Sequence, residues 1–156
     1  MKIKDLFDDI QNPEYSVYDY VLNKSFDYED EKEFIESIDE ILKLTYVIHR
    51  FIDEINSGGL DYYYDVFAPY RELEDCLIKI KSDNVLNLIK ESNNLIYKVE
   101  NRIKTSITDN IEYITDEESD KLQELNSLYY KYEDEFVENF RNYILDNQEL
   151  EFNEIK

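Results

Sequence analysis

Residues 34–59 read FIESIDEILKLTYVIHRFIDEINSGG, and this stretch decides the fold. Its apolar positions recur at alternating steps of four and three residues, the spacing that lines one face of an α-helix. They are Phe34, Ile38, Ile41, Thr45, Ile48, Ile52 and Ile55. The pattern predicts one long amphipathic helix that begins near Asp30. It ends at Asn56-Ser57-Gly58-Gly59, where glycine permits a positive φ angle.

The same periodicity continues on both sides of this helix. Asn12-Pro13 is typical of a helix start and predicts a first helix to about Lys24. After an aromatic segment over 60–67, helices are predicted over about 69–81, 82–103 and 116–147, with a loop over 104–115. The last of these begins at a capping box, Thr115 to Glu118. We therefore predict an all-α, single-domain bundle of about six helices over residues 1–156, with a frayed tail over 148–156.

The charge of the chain limits its partners. It has 38 acidic residues against 17 basic ones, a formal net charge of −21. Direct binding to nucleic acid is disfavoured because phosphates would be repelled, whereas basic proteins would be attracted. A net charge of magnitude about 2–8 is enough to keep a small domain soluble. The surplus indicates that the acidic surface itself has a function.

Neither a signal-peptide pattern nor a long apolar stretch is present. The chain opens with Met1-Lys2-Ile3-Lys4-Asp5, which leads directly into mixed polar sequence. A transmembrane helix needs about 18 or more consecutive apolar residues, and no stretch approaches that length. We expect a cytoplasmic protein that does not contact membranes.

The sequence offers little catalytic chemistry. The only histidine, His49, lies beside the apolar stripe, and the only cysteine, Cys76, lies on a predicted helix next to Leu77. We interpret the first as a residue at the edge of the core and the second as a small packed side chain. Metal-ligand motifs and a glycine-rich phosphate loop are lacking. We therefore expect a protein that is not an enzyme and that binds no metal or cofactor.

The densest acidic runs are the candidate partner-binding sites. Glu29, Glu33, Glu36 and Glu40 are separated by four, three and four residues, so they share one face if that segment is helical. One helical turn spans about 5.4 Å, and duplex DNA carries one charge per about 1.7 Å. Such a face is a somewhat sparser copy of a phosphate row. The candidate contact residues are Asp27, Glu29, Asp30, Glu33, Glu36, Glu40, Glu117, Glu118 and Asp120.

The segment Glu54-Ile55-Asn56-Ser57-Gly58-Gly59-Leu60-Asp61-Tyr62-Tyr63-Tyr64 resembles a family signature. That signature is Glu-x-Asn-Asn-Gly-Gly-Phe-x-Gln-Tyr-Phe, of the helical DNA-mimic proteins, a group of small acidic bacterial proteins. The likeness extends over about residues 34–150. It implies an all-helical fold and a homodimer. It also implies a surface whose carboxylates replace DNA phosphates and occupy the DNA-binding face of a transcription factor.

The resemblance also implies a structural role for the signature itself. Gly58 and Gly59 would make a turn, and Glu54 and Asn56 would cap it or hydrogen-bond its backbone. The carboxylates that mimic phosphates are not part of the signature.

Three functional hypotheses follow. The preferred one is an acidic DNA mimic that binds and inhibits a basic DNA-binding protein. The alternative is an immunity or antitoxin-like protein that neutralises a basic toxin enzyme. The third is a carboxylate-based or metal-dependent enzyme, which would require an inward cluster of acidic side chains.

Overall fold

The computed structural model describes residues 1–66, 70–105 and 114–156, and this part of the chain folds as an all-α single domain. A short 3-10 helix (Ile3–Leu6) precedes six α-helices. These are α1 (Pro13–Ser25), α2 (Glu31–Ser37), α3 (Glu40–Val66), α4 (Tyr70–Lys79), α5 (Asp83–Thr105) and α6 (Asp116–Asp146). The described ranges contain no β-strand, only an isolated bridge between Lys2 and Glu151. The predicted fold class is confirmed.

Helix α3 forms the centre of the bundle. It packs against α1, α2, α4 and α6, while α5 lies against α4 and α6. The ring of Phe51, which is fully buried, meets Tyr63, Tyr129 and Phe136 edge to face, with centroids 5.1, 5.5 and 6.1 Å away. Edge-to-face contacts of this kind add to the stabilisation that burial gives. Phe51 lies outside the predicted apolar stripe, but the stripe also faces the core: five of its seven residues are buried and the other two, Ile38 and Ile52, are half-buried.

The single helix predicted from Asp30 is wrong, because α2 ends at Ser37 and α3 begins at Glu40. Between them Ile38 is extended, with φ −102° and ψ 160°. The Ser37 hydroxyl donates to the carbonyl of Phe34 at 2.7 Å. The carbonyl of Asp39 accepts from Lys43 N at 2.9 Å and so starts a new helix. Serine and aspartate favour such breaks because their short polar side chains compete for backbone hydrogen bonds.

The predicted stop at Gly58-Gly59 is a kink inside α3. Gly59 has φ +80° and ψ −171°, a conformation that only glycine adopts readily, and helical structure resumes at once. A Cβ on Gly58 would lie 2.6 Å from Tyr62 Cβ, so this position is also restricted. Both glycines are therefore needed for the kink, as the resemblance implies.

Helix α6 supplies hydrogen-bond partners at the kink. The side chain of Asn126 accepts from the backbone N–H of Leu60 at 3.0 Å. The hydroxyl of Tyr130 donates to the carbonyl of Ile55 at 3.2 Å. In an unbroken helix these two groups would bond within the helix. Side chains from α6 thus form hydrogen bonds with the α3 backbone where the hydrogen bonds within α3 are interrupted.

The C-terminal tail packs against the bundle, contrary to the expectation of fraying. Phe152 and Ile155 are each only 7% exposed. The backbone N–H groups of Ile3 and Lys4 donate to the carbonyls of Leu150 and Gln148 at 3.0 and 2.9 Å. Two buried apolar side chains and these hydrogen bonds fix the tail.

Several helix boundaries agree with the sequence. Pro13 begins α1, Asp30 caps α2, and Thr115 and Glu118 form the predicted capping box of α6. The predicted start of the fourth helix at Pro69 and most of the predicted loop over 104–115 lie outside the described residues.

Replacing Gly59 by alanine should destabilise the protein by about 1–3 kcal/mol, because alanine is strained at this backbone conformation. The new Cβ would also lie 3.0 Å from Asn126 Oδ1. Urea unfolding measures the effect. The matched control is Asn56→Ala, at an exposed helical position, which should stay within about 0.5 kcal/mol of the parent. Equal stabilities for the two variants would contradict the role given to Gly59.

The substitution Asn126→Leu should cost about 1–3 kcal/mol, because it leaves the N–H of Leu60 without its acceptor. Thermal unfolding of this variant is compared with that of Ser127→Ala, an exposed neighbour on the same helix. A Leu variant as stable as the Ser127 variant would show that the kink does not depend on this hydrogen bond.

Candidate partner-binding surface

Most of the predicted contact residues lie in one segment, residues 26–39, which we call the acidic arm. It comprises the loop after α1, helix α2 and the break before α3, and it holds seven carboxylates and one lysine. Asp27, Glu29, Asp30, Glu33 and Glu36 are all exposed. Five of the nine predicted residues thus lie in one continuous segment, from the loop after α1 to the last turn of α2.

The five carboxylates are not equivalent. Asp30 is the N-cap of α2, and its Oδ1 accepts from the N–H groups of Lys32 and Glu33 at 2.8 and 3.2 Å. Within the described ranges, no lysine or arginine forms an ion pair with Asp27, Glu29, Glu33 or Glu36. These four side chains present uncompensated negative charge to solvent.

The row predicted from Glu29 to Glu40 is not one helical face. Glu29 precedes α2, Glu33 and Glu36 lie on it, and Glu40 begins α3. Glu40 also pairs with Lys79 at 3.3 Å. The break at Ile38 and Asp39 removes the shared helical face on which the spacing argument depended.

The second predicted group lies at the start of α6. Glu117 and Asp120 are exposed, whereas Glu118 is half-buried and its carboxylate is bound by other groups of the protein. Its two carboxylate oxygens accept from Arg102 at 2.7 and 2.8 Å, and Oε1 also accepts from Thr115 N. These bonds, first those from Arg102, lower the pKa of Glu118 to about 2. Glu118 therefore stabilises the first turn of α6 and joins it to α5.

The two predicted groups lie against different elements. Helix α2 packs on α3, where Glu31 is 3.7 Å from Arg50. The first turn of α6 is tied instead to α5 through Arg102. Five of the nine candidate residues lie in the arm and three lie near the start of α6, so the arm holds the larger group of candidate carboxylates.

The structure exposes further residues that the predicted contact set does not include. Phe26, in the arm beside Asp27, is 74% exposed and is therefore accessible to a partner, and aromatic side chains are enriched in protein interfaces. Helix α6 also exposes Asp134, Glu135 and Glu138. The run containing these residues is dense in the sequence, but only burial distinguishes its outward positions from Tyr132 and Glu133, which are half-buried.

The signature residues have structural roles, although not all of the expected ones. Glu54 is 8% exposed and pairs with Arg50 at 2.7 Å. Arg50 in turn reaches Glu31 of the arm. Asn56 is exposed, and the kink backbone is served by Asn126 and Tyr130. The expectation that Glu54 and Asn56 hydrogen-bond the turn is thus replaced by an ion pair and by side chains from α6.

His49 lies in a small aromatic cluster. Its ring stacks on Tyr18 with centroids 4.0 Å apart, and its Nδ1 is 3.4 Å from Asp53 Oδ1. The Tyr18 hydroxyl donates to the other oxygen of Asp53 at 3.1 Å. Burial lowers the pKa of His49, against the opposing effect of Asp53. The histidine is therefore a packed residue at the edge of the core, as predicted.

Cys76 is a packed side chain. It is 7% exposed, and burial raises the pKa of its thiol to about 12. A thiol with so high a pKa is a poor nucleophile at neutral pH.

Two kinds of feature, a metal-ligand cluster and a membrane-spanning helix, are absent from the described residues. Those residues contain no group of three or more His, Cys, Asp or Glu side chains placed to hold a metal ion. Within the same ranges, every helix is too short or too polar to cross a membrane.

The chain matches the model of a known protein family. The model of the family described as DMP19-like protein, a family of DNA mimics, matches residues 36–147. No curated protein matches the chain, and no solved structure does.

The lowered pKa of His49 predicts a pH dependence of stability. As pH falls below 6.5 the unfolded chain takes up a proton on this residue before the folded one does, so the folded state loses stability. Between pH 7.5 and pH 5.5 this loss is at most about 1.4 kcal/mol, because the unfolded pKa is about one unit above the lower pH.

The matched variant is His49→Phe, which keeps an aromatic ring beside Tyr18 and cannot titrate. Urea unfolding at the two pH values measures the difference between the proteins. The parent should lose stability relative to the variant on acidification. An equal pH response would show that His49 titrates normally in the folded protein.

Proposed function

The chain belongs to the DMP19-like protein family, and from that premise we propose that it is an acidic DNA mimic that binds and inhibits a DNA-binding protein such as a transcription factor. The observation that carries the proposal is the acidic arm. Asp27, Glu29, Glu33 and Glu36 are exposed there and form no ion pair within the described part of the chain.

Outside the arm, Asp134, Glu135 and Glu138 on α6 are also exposed, and none of them forms an ion pair within the described residues. Other carboxylates are partly neutralised by the fold: Glu14 pairs with Arg141, Glu118 with Arg102, and Glu149 with Lys2 and Lys4. In the arm, the one ion pair among the described residues is that of Glu31 with Arg50. A DNA-binding face rich in Lys and Arg would meet uncompensated negative charge at this surface.

The physical mechanism is competition for the same cations. Lysine and arginine side chains that contact phosphates would contact arm carboxylates, so protein and DNA would exclude each other. Binding of this kind weakens as salt is added, because exposed charges are screened over about 8–10 Å at physiological ionic strength. Exposed Phe26 would add an apolar contact within the charged surface. Homodimerisation, which the family resemblance implies, stays a prediction.

The first experiment identifies the partner. The immobilised chain is exposed to nuclease-treated lysate of the cells that encode it, and bound proteins are eluted with a salt gradient and identified by mass spectrometry. We expect a stoichiometric DNA-binding protein that salt releases and that its own DNA displaces. Recovery of a basic toxin enzyme would support the immunity alternative instead. Absence of any partner at low salt would contradict both binding hypotheses.

Neutralising the arm should weaken binding of the captured protein. The variant combines Asp27→Asn, Glu29→Gln, Glu33→Gln and Glu36→Gln. Since an exposed ion pair contributes about 0.2–1 kcal/mol, the loss of four should raise Kd at least about fourfold. Asp30, Glu40 and Glu118 are left intact because they cap helices or form ion pairs.

The control has the same net charge. It combines Asp134→Asn, Glu135→Gln, Glu138→Gln and Asp146→Asn, which are all exposed on α6. Both variants carry four fewer negative charges than the parent, so only the location differs. A Kd that changes equally in both would show that net charge, and not the arm, determines binding.

A further inference from the structure

The C-terminal tail contacts both α1, which precedes the acidic arm, and Asp39, the last residue of the arm. We call residues 148–156 the clasp. On one side, the backbone N–H of Ile155 donates to the hydroxyl of Tyr20 in α1 at 3.1 Å, and the ring of Phe152 meets that of Tyr20 edge to face at 5.9 Å. On the other side, the backbone N–H of Asn153 donates to Asp39 Oδ2 at 2.7 Å. Its amide Nδ2 donates to Asp39 Oδ1 at 3.1 Å.

The clasp is itself anchored away from the arm. Phe152 N donates to the carbonyl of Met1 at 3.1 Å, and Ile3 N donates to that of Leu150. Glu149 pairs with Lys2 at 2.8 Å and with Lys4 at 2.5 Å. Phe152 and Ile155 belong to the same hydrophobic core as α1 and α3. The N-terminal segment and the hydrophobic core therefore hold the clasp in place.

The arm needs such support. Helix α2 has seven residues, and a helix of that length is unstable in isolation. Its core contacts come from Phe34 and Ile35, which are 0% and 7% exposed. The carboxylates of the arm repel one another, which favours opening. Asp39, at the end of the arm, is the carboxylate that receives two neutral donors from the clasp.

We propose that the clasp holds the two ends of the acidic arm together and so sets the orientation in which the arm presents its carboxylates. Asn153 is a positioning residue in this scheme: it acts through Asp39 and is not itself a contact residue. The functional half rests on the proposed DNA mimicry, whereas the structural half does not.

Hydrogen–deuterium exchange of the full-length protein tests the structural half. Asn153→Ala removes one donor to Asp39, and the double variant Phe152→Ala/Ile155→Ala removes the apolar anchors. The matched control is Asn142→Ala, the same substitution at an exposed position of α6. For Asn153→Ala we expect amides of residues 26–39 to exchange about tenfold faster or more, given the usual strength of a hydrogen bond to a charged group.

The double variant should increase exchange in the arm further, while amides in the middle of α6 keep their protection in Asn153→Ala and in the control. Unchanged exchange over residues 26–39 in both clasp variants would overturn the proposal. Faster exchange spread evenly over the molecule in Asn153→Ala would also overturn it, since that would indicate general destabilisation.

Affinity for the protein captured by the parent chain tests the functional half. Asn153→Ala changes no charge, so its Kd should rise severalfold, and the Asn142→Ala control should match the parent. A local increase in exchange with unchanged affinity would overturn the positioning role. If no DNA-binding protein is captured, the proposed function fails, and the exchange result still decides whether the clasp restrains the arm.

Discussion

The fold depends on a break in its own central helix. Helix α3 contacts four other helices, yet its backbone departs from helical geometry at Gly59, where φ is +80°. A buried break is tolerated only if the backbone groups near it find partners. Here Asn126 accepts from Leu60 and Tyr130 donates to Ile55, so α6 is bound to α3 through hydrogen bonds with fixed geometry. The kink then directs Tyr63 into the core beside Phe51 and Tyr64 towards Asn93 of α5.

This arrangement explains what could be predicted from the sequence and what could not. Side-chain periodicity reports which face of a helix is buried, so the stripe from Phe34 to Ile55 was found correctly. Periodicity does not report a break that preserves the buried face, and Ile38-Asp39 is such a break: the apolar spacing continues across it. The partners at the kink are 66 and 75 residues away in the chain, and no local pattern connects them.

The acidic surface likewise has one property that the sequence reveals, its net charge, and one that it does not, the pairing of its carboxylates. A surplus of 21 negative charges can be counted, but the sequence does not show which carboxylates the fold neutralises. Glu118 lies in a dense acidic run, yet Arg102 and the capping box occupy it. Glu33 lies in another run and remains exposed. The sequence does not reveal this difference, because Arg102, the cation that pairs with Glu118, belongs to a separate helix, α5. The buried tail residues Phe152 and Ile155 were missed for a related reason, since two isolated apolar residues in a polar segment carry no periodic signal.

Most of the arm and all of the clasp lie outside the region that the family match covers. The matched region is 36–147, whereas the arm begins at residue 26 and the clasp begins at residue 148. Within the matched region lie Glu54, which pairs with Arg50 on α3, and the kink at Gly59, whose flanking backbone groups bond Asn126 and Tyr130 on α6. Arg50 connects the two parts, because it pairs with Glu54 of the signature and with Glu31 of the arm. Under the proposed function, recognition of a DNA-binding protein would depend on the arm and on the clasp that orients it, while the kinked bundle is the base against which α2 packs.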